Sequence, residues 1–168
     1  MSKNMTLEMH DDNVASENTP MTQEEILMKE GDILRELLEL EKEKENEANY
    51  RTIRIKRGGK TKLTFRVRPI TEDESRACLK QATPTARNKN SNVEPDLVKF
   101  RSLVIYTATV AEDRVKIWDN REAKMRMNVI EGWQIVDKVV FAGEKSRIMD
   151  VIDEISYFDA DFEDKAGN

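Results

Sequence analysis

The sequence predicts an α+β protein: a mostly helical single domain with one small antiparallel β-hairpin. Apolar residues alternate with polar ones in two short segments around a Gly-Gly turn, and elsewhere they recur mainly at helical spacing. The 168 residues suffice for one hydrophobic core. We expect residues 22–158 to form the domain, between a disordered N-terminal tail at 1–21 and an acidic, flexible C-terminal tail at 159–168.

The first helix is predicted to begin after Thr22. Thr22 and Glu25 have the spacing of a capping box, in which each side chain accepts from the backbone N–H of the other residue. Apolar residues then follow at helical spacing: Ile26, Leu27, Ile33, Leu34, Leu37 and Leu38. Gly31 followed by Asp32 leaves open a division into two short helices, of which Asp32 would cap the second.

A hairpin is predicted around the turn Arg57-Gly58-Gly59-Lys60. Ile53 and Ile55 share one face of the strand before the turn. Leu63, Phe65 and Val67 alternate in the same way after it. Two adjacent glycines supply the positive φ angles that a tight hairpin requires.

Helical segments fill most of the remaining chain. Thr71 is expected to cap a helix that ends near Ala82, before a polar loop at 83–95. A largely apolar helix that begins at Asp96 or Pro95 and runs through Val110 is expected to be the most buried one.

The segment 111–131 is less regular. Residues 115–118 fit either a short strand or a turn packed on the core, and Asn120 is placed to cap a helix through Met127. From Trp133 onward a helix is favoured over a strand.

Residues 139–155 resemble the start of a phosphate-binding loop, because an apolar run leads through glycine, lysine and serine into a helix. That motif needs two glycines five residues apart with lysine directly after the second. Here Gly143 stands alone and is followed by Glu144, whose carboxylate would repel phosphate. We therefore interpret Gly143 as the break between two helices and Glu144 as the start of a helix at about 144–157.

The residue inventory gives catalysis little support, and we expect a non-enzyme without cofactor or metal. His10 is the only histidine and lies in the predicted tail, so a histidine-based triad or metal cluster cannot form in the core. Cys78, the only cysteine, fits a small buried hydrophobic residue. No apolar run has the length of a membrane span, and the N-terminus lacks the apolar segment of a signal peptide.

Basic residues are concentrated in the hairpin, which suggests nucleic-acid binding as an alternative. These residues are Arg51, Arg54, Lys56, Arg57, Lys60, Lys62, Arg66 and Arg68. Phosphate contacts dominate such binding, but the net charge of −5 opposes it and stacking aromatic residues are sparse. Charged residues also protect exposed strands from aggregation.

Three segments together resemble the XkdN-like tail assembly chaperones of phages and prophages of Gram-positive bacteria. They are the basic strand pair running into "FRVRPITEDESRACLKQAT", then "DLVKFRSLVIYTATV", then "WQIVDKVVFAGEKSRIMDVIDEIS". Their order and spacing carry the resemblance, with Thr71 to Glu74, Thr109-Val110 and Gly143-Glu144 at the matching positions. The chain departs from the family pattern at Ala111-Glu112-Asp113 and at Tyr157-Phe158.

The resemblance implies a non-catalytic chaperone of the host cytoplasm that is absent from the mature virion. Such proteins bind the tape measure protein, keep it soluble and help to recruit tail tube subunits. Family members are often also made in a longer, frameshifted form, and a homo-oligomer on the target stays open. A structural tail or head-joining component and a nucleic-acid-binding regulator acting through residues 50–68 are the alternative functions.

For the partner surface we expect the two C-terminal helices. An amphipathic helical face can cover the apolar stripe of a partner helix. The candidate contact residues are Trp133, Val136, Val140, Ile148 and Ile152. The alternative is that these residues belong to the domain's own core.

Overall fold

Seven α-helices and a two-stranded antiparallel sheet form the part of the chain that the structure describes, residues 20–43 and 46–156 of a computed structural model. In chain order they are α1 (Gln23–Glu43), β1 (Arg51–Arg57), β2 (Lys60–Val67), α2 (Glu72–Ala82), α3 (Leu97–Ala108), α4 (Ala111–Lys116), α5 (Arg121–Met127), α6 (Gly132–Val139) and α7 (Ala142–Ile155). A short 3₁₀ turn, Glu47–Asn49, precedes β1. The predicted α+β class and its single hairpin are confirmed.

The chain divides into two compact units, residues 1–41 and 42–168. Nearly all of α1 belongs to the first unit, and the other elements belong to the second. The predicted domain limits at 22 and 158 stay predictions, and most of both predicted tails lies outside the described residues.

Helix α1 begins with the predicted capping box. The Thr22 N–H donates to Glu25 Oε2 at 2.9 Å, and the Glu25 N–H donates to Thr22 Oγ1 at 3.3 Å. The suggested division at Gly31 does not occur, because α1 runs unbroken for 21 residues. One helical glycine costs only about 1 kcal/mol relative to alanine, and most residues of α1 are good helix formers.

The hairpin has the predicted faces and turn. Ile53 lies opposite Phe65, and Ile55 lies opposite Leu63, with a bulge between Ile55 and Lys56. The turn glycines have φ angles of 60° at Gly58 and 74° at Gly59, which other residues adopt only with strain. Ile55, Phe65 and Val67 are buried and attach one face of the sheet to the core.

Helix α3 is the central helix, as predicted. The Asp96 carboxylate accepts from the N–H groups of Val98 and Lys99 and so caps its first turn. Five of its residues are buried: Ser102, Leu103, Val104, Ile105 and Ala108. It packs against α2, α6 and α7, so each surrounding helix buries its apolar stripe on α3.

The end of α3 is joined to the sheet. Thr109 forms an isolated antiparallel bridge with Val67. The Arg68 N–H donates to the Ala108 carbonyl at 2.8 Å, and the Val110 N–H donates to the Arg66 carbonyl at 3.0 Å. The outer edge of β2 is therefore covered by the chain that leaves α3.

Residues 111–131 form two short helices and a turn. The strand alternative for 115–118 is wrong. The turn alternative is correct only for Ile117 and Trp118, because Val115 and Lys116 belong to α4. Trp118 is fully buried, and its ring packs edge-to-face on Phe65 at 5.3 Å. A short strand could not place that indole as deep in the core without a partner strand for its backbone. Asn120 caps α5 as predicted, by accepting from the Ala123 N–H.

The predicted helix after Gly132 is α6, which confirms the choice of helix over strand. The role given to Gly143 is wrong, because Gly143 lies inside α7. The break between α6 and α7 lies two to three residues earlier, at Val140 and Phe141, which have extended backbone angles. Glu144 does belong to the helix start, since its carboxylate accepts from the Phe141 N–H at 3.0 Å.

Replacing each of the two glycines in this region by alanine should change the free energy of unfolding in opposite directions. At Gly132 a Cβ would lie 2.5 Å from Asp119 Oδ1 and from Tyr106 Cε2, whereas at Gly143 it would meet no atom within 4 Å. We expect Gly132→Ala to lower the free energy of unfolding by about 1–3 kcal/mol. Gly143→Ala should raise it by about 0.5–1 kcal/mol. Urea denaturation measures both free energies of unfolding. A change in the same direction for both variants would contradict this account.

Candidate interaction surfaces

Four of the five predicted contact residues lie in the core. Val136 and Ile152 are fully buried, and Val140 and Ile148 are each 4% exposed. These four residues therefore belong to the domain's own core, which was the alternative interpretation. They are buried because α6 and α7 turn their apolar faces toward α3. A partner could reach these side chains only if the domain opened.

Trp133 differs from the other four because it is partly accessible. Its indole N–H donates to Glu131 Oε2 at 2.7 Å. The Lys99 ammonium lies 5.0 Å from the centre of its ring. Trp133 therefore remains a candidate contact residue at the surface between α3 and α6.

Glu144 joins the hairpin to α7. Its two carboxylate oxygens accept from Arg57 Nε at 3.0 Å and from Nη2 at 2.9 Å. Arg57 Nη2 also donates to the Val139 carbonyl at 2.6 Å, and its guanidinium stacks 4.0 Å from the centre of the Phe141 ring. Arg57 thus contacts three places: Val139 at the end of α6, Phe141 in the connection, and Glu144 in the first turn of α7.

A groove of about 310 Å³ lies between the hairpin and helices α5 and α6. Its apolar lining includes Ile55, Leu63, Ile117, Met127 and Val139. Arg57 also lines it, and the Phe141 ring that stacks on this arginine is 63% exposed. The groove can receive one apolar side chain, but it is short compared with a helix face.

The largest set of exposed apolar side chains is on α1. Nine of the sixteen large hydrophobic side chains that are exposed in the described residues lie between Met21 and Leu40. Seven of them recur along one side of the helix, and we name this set the α1 stripe: Ile26, Leu27, Ile33, Leu34, Leu37, Leu38 and Leu40. No residue of α1 is buried. The sequence showed this periodicity, but the periodicity alone does not say whether a helix face is covered.

Helix α1 is also strongly acidic. It carries eight acidic and three basic side chains, a net charge of −5. A partner for the α1 stripe should therefore carry basic residues beside its own apolar face. Two copies of α1 would repel each other.

Part of the basic hairpin is engaged in ion pairs that support the fold. Arg57 pairs with Glu144, Arg66 with Glu112 and Asp113, and Arg68 with Glu74, all within 2.9–3.5 Å. These contacts connect the sheet to α2, α4 and α7. The positive charge available for a phosphate backbone is smaller than the sequence suggested.

Cys78 is buried as expected, at 4% exposure. Burial raises the pKa of its thiol, which disfavours the reactive thiolate. Within residues 20–43 and 46–156, no group of three or more His, Cys, Asp or Glu side chains could hold a metal ion. His10 and the C-terminal acidic residues lie outside those ranges. None of the described helices is both long enough and apolar enough to cross a membrane.

A family model described as the phage XkdN-like tail assembly chaperone protein matches residues 34–167. The chain belongs to this family. Comparison with curated proteins and with solved structures found no match. The predicted family is confirmed, and the match extends from the second half of α1 through α7.

In this tail assembly chaperone two of the motifs that carried the resemblance connect elements of the fold. Thr109-Val110 attaches α3 to β2, and Glu144 attaches α7 to the hairpin. The partner surface must therefore be sought among side chains that the fold leaves exposed.

Replacing Glu144 with Gln should lower the stability of the chaperone in a pH-dependent way. The hydrogen bonds from Arg57 hold the pKa of Glu144 below its usual value of 4.5. The stabilisation by the carboxylate is therefore complete above pH 4.5 and is lost as the pH falls through the folded-state pKa. The difference in urea midpoint between wild type and Glu144→Gln should be largest near pH 7 and shrink below pH 4.5.

Glu122→Gln is the control for that experiment. Glu122 pairs with Arg126 at 2.8 Å, but both side chains are more than 70% exposed. Exposed pairs contribute roughly 0–1 kcal/mol, so this variant should remain close to wild type. Equal effects of the two variants would show that the Arg57–Glu144 pair has no special structural role.

Ile152→Asp should unfold the second compact unit. The side chain is fully buried, and an unpaired carboxylate there costs several kcal/mol. Val115→Asp is the matched control, because Val115 is 66% exposed and a surface change costs about 0.5 kcal/mol or less. Circular dichroism melting curves distinguish the two outcomes. A cooperative, wild-type-like transition in Ile152→Asp would contradict the placement of this residue in the core.

Proposed function

We propose that this chaperone binds the tape measure protein of its phage, keeps it soluble and assists tail tube assembly in the host cytoplasm without catalysis. Membership of the family supports the general role. The exposed α1 stripe is the observation that supports binding of the tape measure protein. The resemblance implies that the target is long, helical and prone to aggregate before assembly, which makes an amphipathic helix a suitable partner.

The dimensions of α1 suit contact with a long helix. Its 21 residues extend about 30 Å at 1.5 Å per residue. Burial of one large aliphatic side chain contributes about 1.5–3 kcal/mol. The seven side chains of the stripe supply on the order of 10 kcal/mol before the costs of association are subtracted.

Modest affinity at each site agrees with the proposed role. A tape measure protein offers successive helical segments, so several chaperone molecules can cover one target and exclude it from aggregation. Weak contacts also permit release when tail tube subunits assemble around the target. The partly accessible Trp133 and the groove beside Phe141 are secondary contact candidates, and the buried set Val136, Val140, Ile148 and Ile152 is no longer proposed as a direct contact.

Single aspartate substitutions on opposite sides of α1 test the proposal. Leu37 lies in the stripe, and Met28 lies nine residues away, about 180° around a helix with 3.6 residues per turn. Both side chains are more than half exposed, at 58% and 73%. We expect Leu37→Asp to reduce the soluble yield of co-expressed tape measure protein severalfold, and Met28→Asp to leave it at the wild-type level.

Met28→Asp introduces the same residue into the same helix. It therefore controls for the effects of Leu37→Asp on helix propensity and net charge. Unchanged circular dichroism in both variants would show that the fold is retained. If both variants solubilise the target equally well, α1 is not the contact surface. Detection of the chaperone in purified virions would favour the alternative of a structural tail component.

A further inference from the structure

Two carboxylates lie within the α1 stripe rather than beside it. At about 100° per residue, the stripe spans about 160° of the helix circumference, between Leu40 at one margin and Leu38 at the other. Glu30 lies at the centre of this span, and Glu41 lies within about 20° of the same line. Both glutamate side chains are exposed. The remaining acidic side chains of α1 lie outside the stripe.

The positions of the two glutamates match the spacing of helix–helix contacts. A helix that packs along another contributes residues at alternating steps of four and three. Positions 26, 30, 33, 37 and 40 of α1 follow these steps, and Glu30 is the only charged residue among them. Positions 27, 31, 34, 38 and 41 follow the same steps one residue later, with Glu41 as the only charged residue. A helix that covers the α1 stripe therefore also covers one carboxylate in each row.

Covering a carboxylate has an energetic consequence that the outer acidic side chains of α1 do not share. A charge that loses its water is stable only if hydrogen-bond donors or an opposite charge replace that water. A lysine or arginine in the apolar stripe of the partner supplies both, because its charged end can form a charge-assisted hydrogen bond. A leucine at the same place would leave the carboxylate desolvated and without a donor.

We propose that Glu30 and Glu41 select target helices that carry two basic residues within their apolar stripe, eleven residues apart. The spacing is that of the two glutamates, which are three helical turns or about 16 Å apart along α1. In a partner helix that lies along α1, residues eleven positions apart also share one side. The inference rests on the proposed contact of α1 with a helical target and adds which helices this contact accepts.

Selection by the two glutamates acts against unsuitable partners. A helix with an uninterrupted apolar stripe would bury both carboxylates without donors, and a second copy of α1 would add further negative charge. A polar group inside a helix–helix contact also fixes the register at a cost in affinity, which agrees with modest and releasable binding. Glu30 precedes residue 34, where the match to the family model begins, so its role does not follow from family membership.

Two designed amphipathic peptides of identical composition test the selection. In one peptide, two lysines eleven residues apart lie at the centre of a leucine stripe, and two glutamines lie on the polar face. In the other peptide these lysines and glutamines are exchanged, so that net charge and leucine content stay the same. We expect the full-length protein to bind the central-lysine peptide about tenfold more tightly, as measured by fluorescence anisotropy.

Charge-reversal variants assign the preference to the two glutamates. Glu30→Lys/Glu41→Lys should abolish the preference, because the central lysines of the peptide then meet like charges. Glu36→Lys/Glu39→Lys is the matched control, since it changes the net charge equally at exposed positions about 120° and 180° around the helix from Glu30. It should weaken the binding of both peptides to a similar extent and keep the preference between them.

Equal affinities of the wild type for the two peptides, or no binding of either, would overturn the inference, as would a preference that persists in Glu30→Lys/Glu41→Lys. The co-expression assay separates the inference from the proposed function. A loss of soluble tape measure protein with Leu37→Asp, but none with Glu30→Lys/Glu41→Lys, would support the contact and overturn the selection. A retained peptide preference together with no effect of Leu37→Asp would support the selection and reject the tape measure protein as the target.

Discussion

The attachment of α3 to β2 through Thr109 is the interaction on which the second compact unit depends. The fully buried Thr109 hydroxyl donates to the Ile105 carbonyl at 2.7 Å and accepts from the Trp118 indole N–H at 2.9 Å. Its backbone bridges Val67, and its carbonyl accepts from Arg114 Nη2 at 3.0 Å. One residue thereby satisfies the polar groups at the end of the central helix and positions the largest buried side chain. The helices that pack on α3 are oriented relative to the sheet as a consequence.

The contact between Arg57 and Glu144 is the second joint, and it holds the opposite end of the hairpin. Glu144 accepts from both Arg57 and the Phe141 N–H, so the same carboxylate starts α7 and anchors the sheet. The stretch that resembled half of a phosphate loop is thus a structural junction. The Glu144 carboxylate is the group that forms this junction. Gly143 is not required there for steric reasons, because a Cβ at this position would meet no atom within 4 Å.

The contacts at Thr109 and between Arg57 and Glu144 hold the helices in the orientation that determines which apolar side chains of the second unit are buried. The second unit turns the apolar faces of α3, α6 and α7 inward and leaves only scattered hydrophobic side chains outside. Helix α1 keeps a continuous stripe exposed, which is unusual for a helix that has no binding partner. The stripe is the contact surface proposed for a helical target, and the acidic side chains of α1 would favour a basic partner there.

Short-range chemistry allowed the sequence to predict the secondary structure. Thr22, Thr71 and Asn120 cap helices as expected, and Gly58-Gly59 forms the turn, because these effects involve residues at most three apart. The sequence alone could not distinguish the buried isoleucines of α7 from the exposed leucines of α1, since both sets have the same helical periodicity. Only the tertiary structure decided which stripe is covered, because burial depends on the elements that pack against a helix and not on the helix itself.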